Sequence, residues 1–325
     1  MSHGPALRSV TVVRRLLLAS PRGYCAGVER AVETVERALE LHGPPVYVRR
    51  QIVHNLHVVR DLERRGAVFV ASEEDAPPGA LLVLSAHGVA PAVHERAAER
   101  GLRTVDATCP LVAKVHAEAR RYASAGYTIL LVGHAGHDEV EGTLGEAPGS
   151  TVLVETVEDA ARVDVDDPER VAYITQTTLS VDETAEIVAT LKRRFPRIEG
   201  PAAGDICYAT TNRQRAVKEL SRAVDLLLVI GSKNSSNSNR LVETGRAAGV
   251  EAHLIEDETS IDERWLEDVE AVGLTSGASA PEELVGRVCD WFRARGVDDI
   301  RAAGSMIEDV FFRLPVEIRR ALPAA

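Results

Sequence analysis

Three cysteines carry the most chemistry in this chain. Cys25 (Pro-Arg-Gly-Tyr-Cys-Ala-Gly-Val), Cys109 (Asp-Ala-Thr-Cys-Pro-Leu-Val) and Cys207 (Gly-Asp-Ile-Cys-Tyr-Ala-Thr-Thr-Asn) each precede a stretch with helical apolar spacing. After Cys25, the residues Val28, Ala31, Val32, Val35, Ala38 and Leu39 fall on one helical face. After Cys109, Pro110 suits a first helical position, and Val112, Val115, Ala119 and Tyr122 repeat the pattern. After Cys207, Thr210, Thr211 and Asn212 are good cap residues, with Val217, Leu220 and Val224 following. Each thiol is therefore expected just before a helix N-terminus, where partial positive charge favours thiolate. Three such soft ligands suit a 4Fe–4S cluster in which each cysteine holds one iron and the fourth iron stays open to substrate. A zinc ion with three cysteines and a water competes on ligand count, although no C-x-x-C or H-x-x-x-H spacing is present.

A second group of residues lies in polar turns after apolar runs: His54, His87, His137, Thr177, Ser235, Ser236, Asn237 and Ser279. Neutral or weakly basic donors of this kind, backed by backbone N–H groups, hold phosphate or diphosphate. Gly231 with the following Ser-Ser-Asn-Ser-Asn run resembles a phosphate cradle but matches no Walker pattern. Glu139, flanked by Asp138 and Glu141, is the expected acid, because a carboxyl withdrawn from water delivers protons near neutral pH. In an extended turn, alternation would put Glu139 on the same side as His137. Cys289 has no counterpart at the repeated positions and reads as a packed thiol. Arg213, Arg215, Lys218 and Arg222 read as a solvated helix face, with a docking patch for an acidic electron carrier as the alternative.

The elements that must position these residues recur three times. His54, His137 and Ser235 follow their cysteines by 29, 28 and 28 residues, and His87, Thr177 and Ser279 by 62, 68 and 72. Each of these turns follows a short apolar run: 46–48, 81–84, 128–132, 171–174, 226–230 and 271–274. Such repetition predicts three similar lobes, and alternating strands and helices predict parallel sheets with right-handed crossovers. Ligands then sit beyond the carboxyl ends of the strands. The expected fold is α/β, a trefoil of three pseudo-threefold-related lobes around a central iron–sulfur cavity. Residues 25–108, 109–203 and 204–295 form the lobes, the strand in 13–24 completes the third, and 296–325 form a charged C-terminal tail. Residues 1–12 read as a loose extension.

Composition excludes several classes. The 325 residues carry a net charge of −11, which argues against a nucleic-acid binder relying on phosphate contacts. No run reaches a membrane span, and Val-Thr-Val-Val-Arg-Arg-Leu-Leu-Leu-Ala is no signal-peptide core. Four cysteines without an export signal point to metal or catalysis in the cytoplasm.

Seven motifs in order resemble one family. They are Pro-Arg-Gly-Tyr-Cys-Ala-Gly-Val, Ser-Ala-His-Gly-Val, Asp-Ala-Thr-Cys-Pro-Leu-Val, Gly-His-Ala-Gly-His-Asp-Glu-Val-Glu-Gly, Thr-Gln-Thr-Thr-Leu-Ser, Ile-Cys-Tyr-Ala-Thr-Thr-Asn-Arg-Gln and Gly-Ser-Lys-Asn-Ser-Ser-Asn-Ser-Asn-Arg-Leu. Across about residues 15–285 the chain resembles the 4-hydroxy-3-methylbut-2-enyl diphosphate reductases, the last enzymes of the methylerythritol phosphate route to isoprenoids. The resemblance implies that Cys25, Cys109 and Cys207 hold a 4Fe–4S cluster. It implies that His54, His87, His137, Ser235, Ser236, Asn237 and Ser279 hold the diphosphate, that Thr177 stands beside the substrate hydroxyl, and that Glu139 donates a proton. It also implies the trefoil fold, and reductive dehydroxylation of an allylic diphosphate to isopentenyl and dimethylallyl diphosphate. An external ferredoxin- or flavodoxin-like carrier would supply electrons, since no nicotinamide site is evident. The chain departs from the family pattern at Asp138, where proline is usual. Two other readings compete: a three-lobed iron–sulfur dehydratase of the quinolinate synthase type, which needs no reductant, and a non-enzymatic iron–sulfur sensor.

Overall fold

The computed structural model describes residues 13–321; the expected extension over residues 1–12 lies outside them. Along the chain come β1 (Arg15–Ala19), α1 (Ala26–His42), β2 (Val46–Arg49), α2 (Leu56–Arg64), β3 (Ala67–Val70), β4 (Leu81–Leu84), α3 (Pro91–Glu99) and β5 (Arg103–Asp106). Then follow α4 (Pro110–Ser124), β6 (Thr128–Val132), α5 (Asp138–Glu146), β7 (Thr151–Val154), α6 (Val157–Arg162), β8 (Val171–Thr175) and α7 (Val181–Arg194). The last elements are α8 (Tyr208–Leu220), β9 (Leu226–Ile230), α9 (Ser236–Ala247), β10 (Glu251–Ile255), β11 (Ala271–Ser276), α10 (Glu282–Arg293), β12 (Asp299–Ala303) and α11 (Val316–Ala321). The α/β reading stands, with three sheets of five, four and three strands. Every strand pairing in them is parallel, as crossover helices between successive strands require.

The chain divides into two compact units. One comprises Tyr24–Thr211 with residues 309–321 and holds two sheets, β3-β2-β4-β5 and β7-β6-β8. The wholly apolar β4 is buried along its length, since helices cover both faces of such a sheet. The buried face of α1 (Ala31, Val35, Ala38) packs with Val46, Val48 and Val83, and Ile318 of α11 joins this core. Around the second sheet, Val115, Ala119 and Tyr122 of α4 pack with Ile129 and Leu131. Each Val, Leu or Ile buried this way contributes about 1.5–3 kcal/mol.

The other unit comprises residues 13–23 with Asn212–Glu308 and holds the sheet β10-β9-β11-β1-β12. β1 sits between β11 and β12, with Arg15 opposite Ala271 and Asp299. Part of the expected tail is thus an edge strand, whose alternating polar residues hid it. Cys289 is buried in this core beside Val285, Val288 and Phe292.

Arg213 corrects the reading of a solvated basic face. It is fully buried, donating to the Gly23 carbonyl at 2.7 Å and to both Glu308 oxygens at 3.1 Å. A buried guanidinium is tolerable only when its charge is matched in this way. Arg215 is exposed and pairs with Glu219, as an i,i+4 surface pair does.

Candidate active site

The three cysteine loops are fixed by the strand ends beside them. Cys25 and Cys109 are the N-cap residues of α1 and α4, neither making a side-chain cap hydrogen bond, and Cys207 directly precedes α8. The Cys109 N–H donates to the Ala86 carbonyl at 3.0 Å, and the Cys207 N–H to the Thr177 carbonyl at 3.0 Å. Thus two thiols are tied to the turns carrying His87 and Thr177. The Tyr208 hydroxyl accepts from the Ala26 N–H at 3.2 Å, linking the Cys207 loop to the start of α1. A Cβ on Gly27 would lie 2.6 Å from Cys109 Sγ and 3.8 Å from Cys25 Sγ. Both sulfurs therefore border one point of the α1 backbone, where only glycine leaves them room.

Burial, reinforced by the neighbouring Cys25 and Cys207 sulfurs, pushes the Cys109 thiol up to about 12. Burial and Cys25 push Cys207 up to about 11, against hydrogen bonds from Thr210. Without a cation, desolvation and mutual repulsion outweigh the helix N-termini at these two. Such thiols ionise when a cation joins them. Unpaired thiols, converging sulfurs and the bare Gly27 backbone fit a thiolate-bound cluster.

Glu139 is 2% exposed. Its Oε1 accepts from the Thr177 N–H at 2.7 Å and its Oε2 faces the Thr177 hydroxyl at 3.0 Å. Burial pushes its carboxyl up to about 7, opposed by the two Thr177 hydrogen bonds and assisted by Asp205. Glu139 lies in the first turn of α5, with His137 as N-cap accepting its N–H at 3.2 Å. The extended turn expected here is a helix start, so helix geometry, not strand alternation, sets its direction. Along the edge of β8 facing away from β6, the Tyr173, Thr175 and Thr177 N–H groups donate to the Glu199 carbonyl, the Asp205 carboxylate and the Glu139 carboxylate.

His54 and His87 stack with ring centroids 4.0 Å apart, and His137 stands edge-on to both at 5.5 and 5.9 Å. Burial depresses all three, His137 to about 4 and His87 well below its usual range. Two imidazolium rings would repel in such a stack, which disfavours charging both at once. Arg50, in the left-handed region at φ 53°, pairs with Asp138 and, at 2.7 Å, with Glu141.

In the second unit, Ser235 caps α9, its Oγ accepting from the Ser238 N–H at 3.4 Å. Asn237 Oδ1 accepts from the Ala278 N–H at 2.9 Å, joining the α9 start to the turn carrying Ser279. Ser236 opens the helix. The positive end of a twelve-residue helix bearing serines suits an anion. A Cβ on Gly231 would collide with the Ser238 side chain, so packing against the start of α9 requires glycine there.

Sequence reasoning missed Arg50, Asp205 and Tyr208. Arg50 stood in plain view, since it directly follows β2, four residues before His54. The other two act on backbone N–H groups, which no local pattern reveals.

Comparisons with known proteins follow the same lines. A family profile described as LytB protein matches residues 16–293. A 4-hydroxy-3-methylbut-2-enyl diphosphate reductase of Acidothermus cellulolyticus is 59% identical over 312 residues, 96% of this chain and 92% of that protein. Another, from Streptomyces avermitilis, is 55% identical over 312 residues, again 96% and 92%. Among solved structures, the E-1-hydroxy-2-methyl-but-2-enyl-4-diphosphate reductase of Plasmodium falciparum aligns with a TM-score of 0.90 at 39% identity, covering 95% of this chain and 98% of that one.

Proposed function

The chain belongs to the LytB family and is a 4-hydroxy-3-methylbut-2-enyl diphosphate reductase; from that premise we propose which of its residues perform the reaction. The balanced change replaces the allylic C–O bond with C–H, consuming two electrons and two protons and releasing water. The products are isopentenyl and dimethylallyl diphosphate.

Cys25, Cys109 and Cys207 would hold a 4Fe–4S cluster with one iron open. When bound, that group supplies electrons and a Lewis-acidic position for the hydroxyl. Glu139, almost fully buried, holds a proton and delivers it to the departing oxygen. Thr177 fixes that carboxyl with two donors and stands beside the hydroxyl. His54, His87 and His137 offer neutral N–H donors to the diphosphate, and Ser235, Ser236, Asn237 and Ser279 offer hydroxyl and amide donors. With few other acids assigned here, the diphosphate itself supplies the second proton. An external ferredoxin- or flavodoxin-like carrier delivers the electrons singly. Four unpaired thiols suit a reducing cytoplasm, and among the described residues no helix is long and apolar enough to cross a membrane.

The observation carrying this reading is the buried Glu139 carboxyl, held on both oxygens by Thr177. The test is anaerobically purified enzyme given the allylic diphosphate with and without dithionite. Turnover that depends on reductant, with both diphosphate products, is expected; product formation without reductant would overturn it in favour of a dehydratase.

A further inference from the structure

Ser238 places both of its hydrogen-bond donors on Ser235. It lies in the first turn of α9 and is fully buried, so it touches no ligand itself. The Ser235 Oγ accepts from the Ser238 N–H at 3.4 Å and from the Ser238 hydroxyl at 3.0 Å. A serine oxygen has two lone pairs and one hydrogen. With both lone pairs taken, the Ser235 hydroxyl can only donate, and among the described residues no acceptor receives its hydrogen.

Two glycines make room for this contact. A Cβ on Gly231, just past β9, would lie 2.1 Å from the Ser238 Oγ, and one on Gly277, just past β11, would lie 2.1 Å from the same atom. β9 and β11 are neighbours, with Ile230 opposite Ser276, and the Gly277 N–H donates to the Ile230 carbonyl at 2.9 Å. Neither glycine lies in the left-handed region, so each serves through its missing side chain. The bare backbone of two adjacent strand ends thus forms a slot that holds the Ser238 hydroxyl in place. Ionised diphosphate oxygens only accept, so a hydroxyl fixed as a donor meets them without first reorienting.

We propose that Ser238 is a positioning residue for the diphosphate, holding the Ser235 hydroxyl with its hydrogen pointing away from Ser238 and ready to donate. The inference rests on the reading that Ser235 binds the diphosphate. With alanine at position 238 the backbone N–H remains, but one Ser235 lone pair is released. The Ser235 hydroxyl then rotates among several orientations, and binding an anion has to select one of them.

The test is steady-state kinetics with the allylic diphosphate and dithionite on anaerobically purified, iron-loaded wild type, Ser235→Ala, Ser238→Ala and the double variant. Ser238→Ala deletes a single oxygen and should raise KM roughly tenfold, with kcat and iron content nearly unchanged. Ser235→Ala should raise KM at least as much. The double variant should raise it no further than Ser235→Ala, because Ser238 then has nothing to orient. Binding of inorganic diphosphate, followed by calorimetry, should weaken by the same factors. An unchanged KM in Ser238→Ala beside a raised one in Ser235→Ala would overturn the proposal and leave the diphosphate assignment standing. So would a double variant in which the two factors multiply, since Ser238 would then act independently of Ser235. An unchanged KM in both single variants would overturn the assignment of Ser235 and the proposal with it.

Discussion

Thr177 turns both of its donors on one carboxylate, its N–H reaching Glu139 Oε1 at 2.7 Å and its hydroxyl facing Oε2 at 3.0 Å. A residue two positions past the end of β8 therefore controls an acid in the first turn of a helix, 38 positions earlier. Burial alone would drive that acid further from the usual carboxylate range. The two hydrogen bonds favour the ionised form and bring it back to about 7.

The pH dependence follows from that balance. The protonated form is the proton donor, so turnover with a chemical reductant is full below about pH 7 and falls as pH rises through it. Glu139→Gln should bind substrate yet lose on the order of 10²–10⁴-fold in kcat, together with this alkaline limb. A pH–rate profile of both proteins checks it.

Thr177→Val removes the hydroxyl while leaving the backbone N–H on Oε1. Losing a hydrogen bond to the charged form raises the Glu139 carboxyl further, by roughly one pH unit for about 1.4 kcal/mol. The alkaline limb of the rate profile should move upward by that amount. An unmoved limb would mean that the hydroxyl does not set the acid.

Gly27→Ala tests the packing of the sulfurs. The added Cβ meets Cys109 Sγ at 2.6 Å, closer than any real contact, so iron and sulfide content should fall well below that of the wild type. Gly286→Ala, within α10 and meeting nothing within 4 Å, should load fully and gain about 1 kcal/mol from helix propensity. Iron and sulfide assays with thermal melts compare the two.

Arg213→Ala leaves the Gly23 carbonyl and the Glu308 carboxylate without their buried partner. A loss of roughly 3–5 kcal/mol is expected, read as a lower denaturation midpoint at unchanged slope.

The threefold spacing was legible because each polar turn follows a strand, and a strand's apolar run survives in the sequence whatever surrounds it. The cysteines were legible for the same reason. α5 was not: Gly142 and Gly145 dilute its helical signal, and only the capping by His137 marks its start. α3 lacks a hydrogen-bonding cap, since Ala90 stands at its N-cap before Pro91. Arg213 read as solvated because its partner Glu308 lies 95 residues away, in a segment that looked like a tail. The Arg50–Asp138 pair escaped for the same reason of distance, although Asp138 was recognisable as a departure from the family pattern.

The central claim is that Cys25, Cys109 and Cys207 together hold one cluster. Iron and sulfide counts on anaerobically purified wild type and four single Cys→Ser variants test it most directly. About four iron and four sulfide per chain are predicted for the wild type and for Cys289→Ser, with marked loss in each of the other three. Full iron in any of those three, or loss in Cys289→Ser from a folded protein, would contradict the account.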